Sequence, residues 1–490
     1  MSTARRPAPP STSNPSEATA RAGRTTKPGG SGTCSSSSPR GRSPGGTRVF
    51  RGSPGSGTGC RGSARGAGVV DRGRGPGVPI ETLMSRRIPI AAALVGLLAV
   101  APGAGARSFR VVPDGSGEVP TIQAAVQAAA DGDTILLANG VFQGDGNRDI
   151  DLGERELVIR SETNDPSSCV IDCGATQSDP HRGFLIRSGQ GPGTAIKWIK
   201  ITNAYAELGG GILCEGSSPT LLGLTFFQNE AREGGAVACE RAAPVIDGCI
   251  FDSNFASENG GGLLCGTRFG DNKAAQIRSC VFVGNIALGR GGGISCSYSR
   301  PEISRCGFTE NTGAQGGAIA CYLATPTVQE CFFRSNCAGR GGGIWCGESA
   351  SPAIASCTFY ENAGYARGAG VYSQDSAPAI RNTIIAWSVQ GEAVYSRQGA
   401  FHPELSCCDL YRNRGGDWTG LIAGQLPERG NLASDPIFCN RFQGVFSIAS
   451  YSPCAARQSG ACGLIGAYDV TCDVVPAQRM SWGRLRGLFR

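Results

Sequence analysis

A six-residue phrase that returns at nearly constant spacing constrains the fold more than any other feature of this 490-residue chain. It reads Gly-Gly-Gly-Ile-Leu-Cys at 209–214 and returns at 234–239, 260–265, 291–296, 316–321 and 341–346, with divergent copies at 368–373 and 391–396. The last residues of successive copies lie 25, 26, 31, 25, 25, 27 and 23 positions apart. Such a period is typical of a solenoid, whose units bury their apolar faces only against each other.

A second phrase, P-x-[IVL]-x-x-C-x-F-x-x-N, alternates with the first and is complete at 301–311. Its Phe column is Phe226, Phe251, Phe282, Phe308, Phe333 and Phe359, and its Asn column is Asn229, Asn254, Asn285, Asn311, Asn336 and Asn362. Apolar residues alternate in both phrases, and Gly, Pro or Asn bounds each segment, as in short strands with one buried face. The sequence therefore predicts an all-β fold, a right-handed parallel β-helix solenoid, with Gly and Asn at the tight turns.

The clearest helical pattern lies at 120–129, with Ile122 and Val126 on one face among alanines. We expect this helix to cap the open end of the solenoid, which would otherwise expose apolar core and unpaired strand edges. Residues 107–208 are then the N-terminal cap and irregular first coils, and 209–416 are the regular coils. A terminal coil with a C-terminal cap is predicted for 417–472, and a basic tail for 473–490.

The N-terminal stretch has a different composition. Residues 1–83 are rich in Arg, Gly, Pro and Ser, which predicts a low-complexity extension that is disordered or not translated. Met84 offers a second start, followed by Arg86, Arg87, an apolar run and the cleavage pattern of Ala-Gly-Ala at 104–106. Residues 84–106 therefore predict a signal peptide, with an apolar run too short for a membrane span. We expect an exported protein, extracellular, on the cell surface or periplasmic, with no transmembrane segment in the mature chain.

The charge balance depends on this leader. The whole chain has a formal net charge of +7, but residues 1–106 hold 15 of its 46 Lys and Arg and 3 of its 39 Asp and Glu, which leaves −5 for the remainder. The net basic balance of the whole chain is thus a property of the segment that is predicted to be removed, so no nucleic-acid partner is expected. We expect a monomer.

Twenty of the 22 cysteines lie after residue 106. This density in an exported chain favours disulfides, whereas the inward columns of the repeats suit buried free thiols. A thiol ladder and bridges between stacked coils both stay open. Four cysteines outside the ladders are the better disulfide candidates, with Cys454–Cys462 as the first pairing; the other two are Cys439 and Cys472.

Two stretches carry a resemblance to known families. Asp-Gly-Ser-Gly at 114–117, followed by Thr-Ile-Gln-Ala-Ala at 121–125 and by coils, resembles pectin-lyase-like right-handed β-helix proteins, pectinesterases among them. The G-G-[AG]-[IVL] and F-x-x-N phrases resemble the repeats of bacterial polymorphic outer-membrane proteins. Together the likenesses cover about residues 107–416. They imply the fold, while the families include lyases, hydrolases, esterases and surface adhesins.

The catalytic motifs of the hydrolases in the resembling families are not matched in this sequence. Asn382-Thr383 is followed by Ile384 rather than by the Asp of the N-T-D motif of hydrolase members, and no His-Gly pair or Arg-Ile-Lys follows. Glu215 and Glu240 fall in one outward column on neighbouring coils, where they would hold a cation or form a solvated surface pair. The only long interruption of the repeats is the loop at 266–274, a place where binding residues tend to lie.

Aromatic residues give the better candidate site. The position before the Cys of the first phrase, predicted to face outward, holds Trp345, Tyr372 and Tyr395 in consecutive copies, and the neighbouring outward column holds Tyr322, Gln374 and Arg397. Flat rings beside polar groups suit stacking against sugar rings. The alternative is that the C-terminal segment covers these rings as ordinary core.

Three functional classes follow from these patterns. The first is an exported, non-catalytic protein that binds a polysaccharide or cell-surface glycan, with no cofactor. The second is a polysaccharide lyase or glycoside hydrolase whose carboxylates the sequence does not locate; a lyase of the resembling class would use Ca²⁺. The third is a structural adhesin rod. The fold does not choose among them, because function depends on the site.

Overall fold

The computed structural model describes residues 106–266, 274–397 and 401–473. Within these ranges, strands from successive turns of the chain pair in parallel and form four long sheets, which confirms the predicted all-β solenoid. Each regular turn passes through sheets 1, 2, 3 and 4 in that order. The predicted extension at 1–83, the predicted signal peptide up to residue 105, the loop at 267–273 and the tail from 474 lie outside the described residues.

Sheets 1 and 2 follow each other in every regular turn. The strands of sheet 1 are Ser108–Val111, Thr134–Leu137, Val158–Ser161, Ala195–Lys197, Thr220–Leu222, Val245–Asp247, Gln276–Arg278, Glu302–Ser304, Thr327–Gln329, Ala353–Ala355, Ala379–Arg381 and Glu404–Ser406. The strands of sheet 2 are Gly140–Phe142, Cys169–Asp172, Lys200–Thr202, Thr225–Phe227, Ile250–Asp252, Val281–Val283, Gly307–Thr309, Phe332–Arg334, Thr358–Tyr360, Ile384–Ala386 and Asp409–Tyr411.

Sheets 3 and 4 complete the turn. The strands of sheet 3 are Tyr205–Leu208, Glu230–Glu233, Phe255–Asn259, Ile286–Arg290, Thr312–Gln315, Cys337–Arg340 and Ala363–Arg367. The strands of sheet 4 are Ile150–Asp151, Phe184–Ile186, Ile212–Glu215, Val237–Glu240, Leu263–Cys265, Ile294–Ser297, Ile319–Tyr322, Ile344–Gly347, Val371–Gln374 and Val394–Ser396. The glycine phrase lies where sheet 3 ends and sheet 4 begins.

Successive turns stack in register, so equivalent side chains lie above one another. The interior column of sheet 2 consists of the buried rings of Phe226, Phe251, Phe282, Phe308, Phe333 and Phe359. Neighbouring rings are stacked, with centroids 4.3 to 4.9 Å apart. Each of the four inner rings therefore stacks against a Phe ring on both sides, which supplies dispersion contacts along the column.

Each position of the glycine phrase meets a different steric demand. The first glycine is left-handed, with φ of 68° at Gly291. A Cβ on the second, Gly292, would lie 2.4 Å from the carbonyl oxygen of Gly317 in the next coil. A Cβ on the third, Gly293, would lie 3.1 Å from the Phe308 ring. The phrase therefore lets the backbone turn and the coils approach at one corner.

The Asn column does not occupy the turn position expected from the sequence. The left-handed residue is the one before each Asn, as at Glu310 with φ of 56°. Asn311 is buried instead, and its Nδ2 donates to Asn336 Oδ1 at 3.0 Å and to the Phe282 carbonyl oxygen at 2.9 Å. Its Oδ1 accepts from the backbone N–H and the side-chain amide of Asn285, at 3.1 and 2.9 Å. The amide is selected because it donates and accepts at once, so it can join coil to coil.

The stacked cysteines are buried free thiols, which decides between the two alternatives left by the sequence. One column is Cys214, Cys239, Cys265, Cys296, Cys321 and Cys346, and the other is Cys249, Cys280, Cys306, Cys331, Cys357 and Cys408. Burial raises the pKa of Cys408 to about 12 and the pKa of Cys280 well above its ordinary value. Cys280 and Cys408 therefore stay protonated, and the buried thiols of both columns pack as small apolar groups.

The predicted capping helix is Ile122–Ala128, the α-helix of the described residues. Thr121 precedes it as the N-cap, and its Oγ1 accepts a hydrogen bond from the Ala124 N–H at 3.2 Å. Ile122 and Val126 are buried in the same cluster as the first strands. The helix thus covers the apolar end of the solenoid. In the described part of the chain, every helix is too short or too polar to span a membrane.

The predicted terminal coil and cap, 417–472, has two parts. In the first, Ile422 enters the solenoid core and Trp418 packs against it, so this part closes the end. Its helical turns are the 3₁₀ segments Gly420–Gln425 and Glu428–Gly430. The second part, residues 436–473, turns back along the side of the solenoid, and we call it the flap.

The flap covers the outer face of sheet 2. Its strands are Phe438–Asn440, Val445–Ala449 and Val470–Cys472, and its 3₁₀ segments are Arg441–Gln443 and Gly460–Cys462. The Phe446 ring lies 4.6 Å from that of Phe332 and 4.7 Å from that of Tyr360, centroid to centroid. The flap therefore buries aromatic groups that a bare solenoid would expose on this side.

Two disulfides secure the flap. Cys407–Cys462 ties it to the last coil, and Cys439–Cys472 closes it internally. The predicted pairing Cys454–Cys462 is wrong, because the chain between these residues turns Cys454 inward, against sheet 2. Its thiol is free and donates to Asp409 Oδ2 at 3.1 Å.

Asp409 is fully buried beneath the flap. Its Oδ1 accepts from the Ser434 N–H at 3.0 Å. Burial raises the pKa of this carboxyl from 3.8 to about 6, and the charges of Asp435 and Asp417 add to the rise. The folded protein thus holds a proton that the unfolded chain releases at lower pH.

Replacement of Asn311 by Ala tests the amide ladder. Four buried hydrogen bonds end on this side chain, and each group left unpaired costs about 1–3 kcal/mol. We expect the free energy of unfolding in urea to fall by at least about 3 kcal/mol. Thr309→Ala, on the outer face of the same coil, is the control and should change it little. Equal losses in both variants would contradict the ladder's role.

The pH dependence of stability tests Asp409. Because the pKa of Asp409 is higher in the folded state, its contribution to the free energy of unfolding should fall by about 3 kcal/mol as pH rises from about 4 to about 6. Above that pH the contribution should stay level. Asp409→Asn should remove this dependence. The variant should therefore be more stable than the parent protein at pH 8, and the gap should close at pH 4. Denaturant titrations of both proteins at pH 4 and pH 8 measure the free energies of unfolding. A difference of equal size at the two pH values would contradict the raised pKa of Asp409.

Candidate aromatic and cationic groove

A groove of about 830 Å³ runs between the outer faces of sheets 3 and 4. Sheet 3 contributes Glu258, Arg290 and Arg340, and Tyr298 and Tyr322 line the side of sheet 4. The two faces meet because the glycine corner turns the chain sharply between them. Side chains that leave the two strands outward therefore converge over the corner.

The structure places the predicted aromatic column in the layer against which the groove residue Tyr322 packs, rather than on an exposed surface. Trp345 is 3% exposed and Tyr372 is 4% exposed, so the expectation of an exposed strip is wrong for both. Tyr395 is half-buried and stacks on Tyr372 with ring centroids 5.2 Å apart.

Arginines of sheet 3 cover this column. The C-terminal flap lies over sheet 2 and does not bury these rings. The Arg290 guanidinium lies 5.8 Å from the Trp345 ring centroid, and the Arg340 guanidinium lies 5.8 Å from that of Tyr372. Each cation lies over an electron-rich ring, an arrangement that stabilises the charge. The alternation of the strand indicated the outward direction correctly, but it carried no information on a second sheet across the corner.

The second predicted column is only partly in the groove. Tyr322 lines it, packed edge-on against Tyr298 with ring centroids 5.7 Å apart and an interplanar angle of 80°. The Arg290 guanidinium lies 4.2 Å from the Tyr322 ring centroid. Gln374 and Arg397 lie farther along the solenoid and do not line the groove. Their role in binding stays a prediction.

Sequence reasoning missed the arginines. Arg290 pairs in register with Gln315, Gln315 with Arg340, and Arg340 with Arg367, so all four leave sheet 3 in one column. Arg367 bonds to Glu392 at 2.5 Å. Within the described residues, neither Arg290 nor Arg340 forms an ion pair. The signal was present in the sequence, because each of the three arginines directly precedes the first glycine of a phrase.

The carboxylates of the groove are already engaged. Glu258 bonds to Arg232 at 2.9 Å, and Glu233 accepts from Asn259 Nδ2 at 2.8 Å. Burial raises the pKa of Tyr298, so its hydroxyl is held as a neutral donor. The groove thus offers two unneutralised cations and phenol rings, which suit recognition of an anion better than proton transfer.

Glu215 and Glu240 are neighbours, as the register predicted. Arg241 bonds to Glu215 at 2.5 Å, and burial, with the charge of Glu215, raises the pKa of Glu240. Among the described residues, no group of three or more His, Cys, Asp or Glu is placed to hold a metal ion. One carboxylate of the pair is thus bonded to an arginine, and a cation site here gains no support.

A family model described as a right handed beta helix region matches residues 263–410. This match agrees with the four parallel sheets, and the fold of the described residues is a right-handed parallel β-helix. The predicted class and handedness are confirmed. No curated protein sequence matches the chain.

Solved structures with a similar fold include three lyases. Pectate lyase Pel9A has 14% identity and a TM-score of 0.44, over 74% of this chain and 96% of that one. A rhamnogalacturonan lyase has 10% identity and a TM-score of 0.30, over 68% and 91%. A mannuronic acid specific polysaccharide family 6 lyase from human gut microbiota has 13% identity and a TM-score of 0.31, over 67% of this chain and 91% of that one. At identities this low, the likeness concerns the fold alone.

Proposed function

We propose that the protein binds an acidic polysaccharide in the groove between sheets 3 and 4, without cleaving it. The observation that carries this proposal is the pair of arginines, Arg290 and Arg340, which line the groove over aromatic rings and form no ion pair within the described residues. Guanidinium groups donate two parallel hydrogen bonds to a carboxylate or sulfate, and the rings offer apolar surface to the sugar.

The spacing of the arginines supports a polymer as the ligand. Arg290 and Arg340 lie two strands apart in one column, which is about 10 Å at the usual strand spacing. Gln315 lies between them and can bond to a hydroxyl. A chain of sugars laid along the solenoid axis would meet a cation, a neutral polar group and a second cation in turn.

Binding without cleavage is favoured by the state of the groove's other groups. The Glu233 and Glu258 carboxylates are occupied by Asn259 and Arg232, and the raised pKa of Tyr298 makes its phenolate scarce. A hydrolase needs an acid and a base on opposite sides of the bond, and a lyase needs a free base.

The cellular setting completes the proposal. The predicted signal peptide at 84–106 and the two disulfides of the flap support export to an oxidising compartment. There the protein would act as a monomer on a glycan at the cell surface or outside it.

Neutralising the two arginines tests the proposal. Arg290→Gln/Arg340→Gln should weaken binding to polygalacturonate and alginate by at least about tenfold, because a hydrogen bond to a charged group is worth about 1.5–3 kcal/mol. Binding should also weaken with added salt, and uncharged dextran should not bind. Isothermal titration calorimetry gives the affinities.

Arg305→Gln/Arg381→Gln is the matched control. Both residues lie outside the groove, at exposed or nearly exposed positions, and the double change removes the same charge. Equal losses in the two double variants would show an unspecific charge effect and overturn the site. Absence of binding to every acidic polymer would favour a structural rod. Release of unsaturated uronides or of reducing ends would overturn the non-catalytic assignment.

A further inference from the structure

The buried layer of sheet 4 against which the groove residue Tyr322 packs, which we call the floor, contains two polar groups without partners. Within the described residues, neither Trp345 Nε1 nor Ser295 Oγ has a hydrogen-bond partner, and the two residues are 3% and 1% exposed. Both lie in one outward column of sheet 4, with only Ala320 between them. Leaving a buried donor unpaired is destabilising, and stacking of the coils does not by itself require these two polar groups at buried positions.

Arg290 covers this floor. Its guanidinium lies 4.2 Å from the Tyr322 ring centroid and 5.8 Å from the Trp345 ring centroid. It forms no ion pair with a described carboxylate, so cation–π contacts and its aliphatic stem hold it in place. Cation–π contacts of this kind are weaker than the charge-assisted, bidentate hydrogen bonds that a guanidinium donates to a ligand anion.

We propose that Arg290 is a movable cover over Trp345, and that an anionic group of a bound sugar draws it aside. The uncovered indole then stacks against the sugar, and its N–H and the Ser295 hydroxyl donate to ligand oxygens. This step rests on the acidic polysaccharide proposed as the ligand. It makes Arg290 a specificity residue, because a neutral sugar cannot move the cover and does not reach the floor.

Ligand-free acrylamide quenching tests the cover itself. The Trp345 contribution is obtained from each protein and its Trp345→Phe counterpart, because the chain contains other tryptophans. Arg290→Ala should increase quenching of Trp345 severalfold, whereas Arg340→Ala, whose guanidinium lies over Tyr372, should leave it unchanged. Equal quenching in the parent protein and Arg290→Ala would overturn the cover. Circular dichroism checks that each variant is folded.

Titration with short oligogalacturonides tests the movement. Binding followed by calorimetry should coincide with a change in Trp345 emission that is absent in Trp345→Phe. Binding without this change would overturn the moving cover and leave the proposed function standing. Absence of binding would overturn the proposed function and the ligand-driven step together, while the quenching comparison still decides whether Arg290 covers Trp345.

Discussion

In-register stacking of one coil on the next is the constraint on which the whole structure depends. In the regular coils it places Phe beside Phe, Cys beside Cys and Asn beside Asn, so these side chains must pack with, or hydrogen-bond to, copies of themselves. Phe satisfies this by ring stacking, Cys by its small volume, and Asn by donating to the next amide while it accepts from the previous one. The glycine corner is what permits the approach, since a Cβ at Gly292 would collide with the backbone of the adjacent coil.

The interior could be predicted from the sequence because it is governed by two short periods. Alternation along each strand separates inside from outside, and the 25-residue repeat places equivalent residues above one another. The prediction that Asn occupies the turn was wrong by one position. The residue directly before it, such as Glu310, has the left-handed φ, and the sequence pattern does not show which of the two does. Composition cannot distinguish a residue that tolerates a turn from one that bonds beneath it.

The candidate site was harder to predict because it depends on what faces the outside of a strand. The pattern placed Trp345 outward, which is correct with respect to its own coil, but sheet 3 brings Arg290 over it from across the corner. The flap is a similar case. Its Phe446 contacts Phe332, which lies more than a hundred positions earlier in the sequence, and the flap belongs to no repeat. The flap occurs once, so periodicity carries no record of it. The arginines recur before successive glycine phrases, but their reach across the corner to the rings of sheet 4 is a contact that the strand pattern does not show. The disulfide Cys407–Cys462 belongs to the same category.

The two thiol columns have a consequence for the lifetime of the protein. Fifteen described cysteines are buried and free, and in the native state their burial shields them from oxidants. Once a coil opens, neighbouring thiols become accessible and can be oxidised to disulfides that the folded stack does not contain. Opening would then become a one-way event. The survival of this protein would be set by its rate of unfolding rather than by the free-energy difference between its folded and unfolded states.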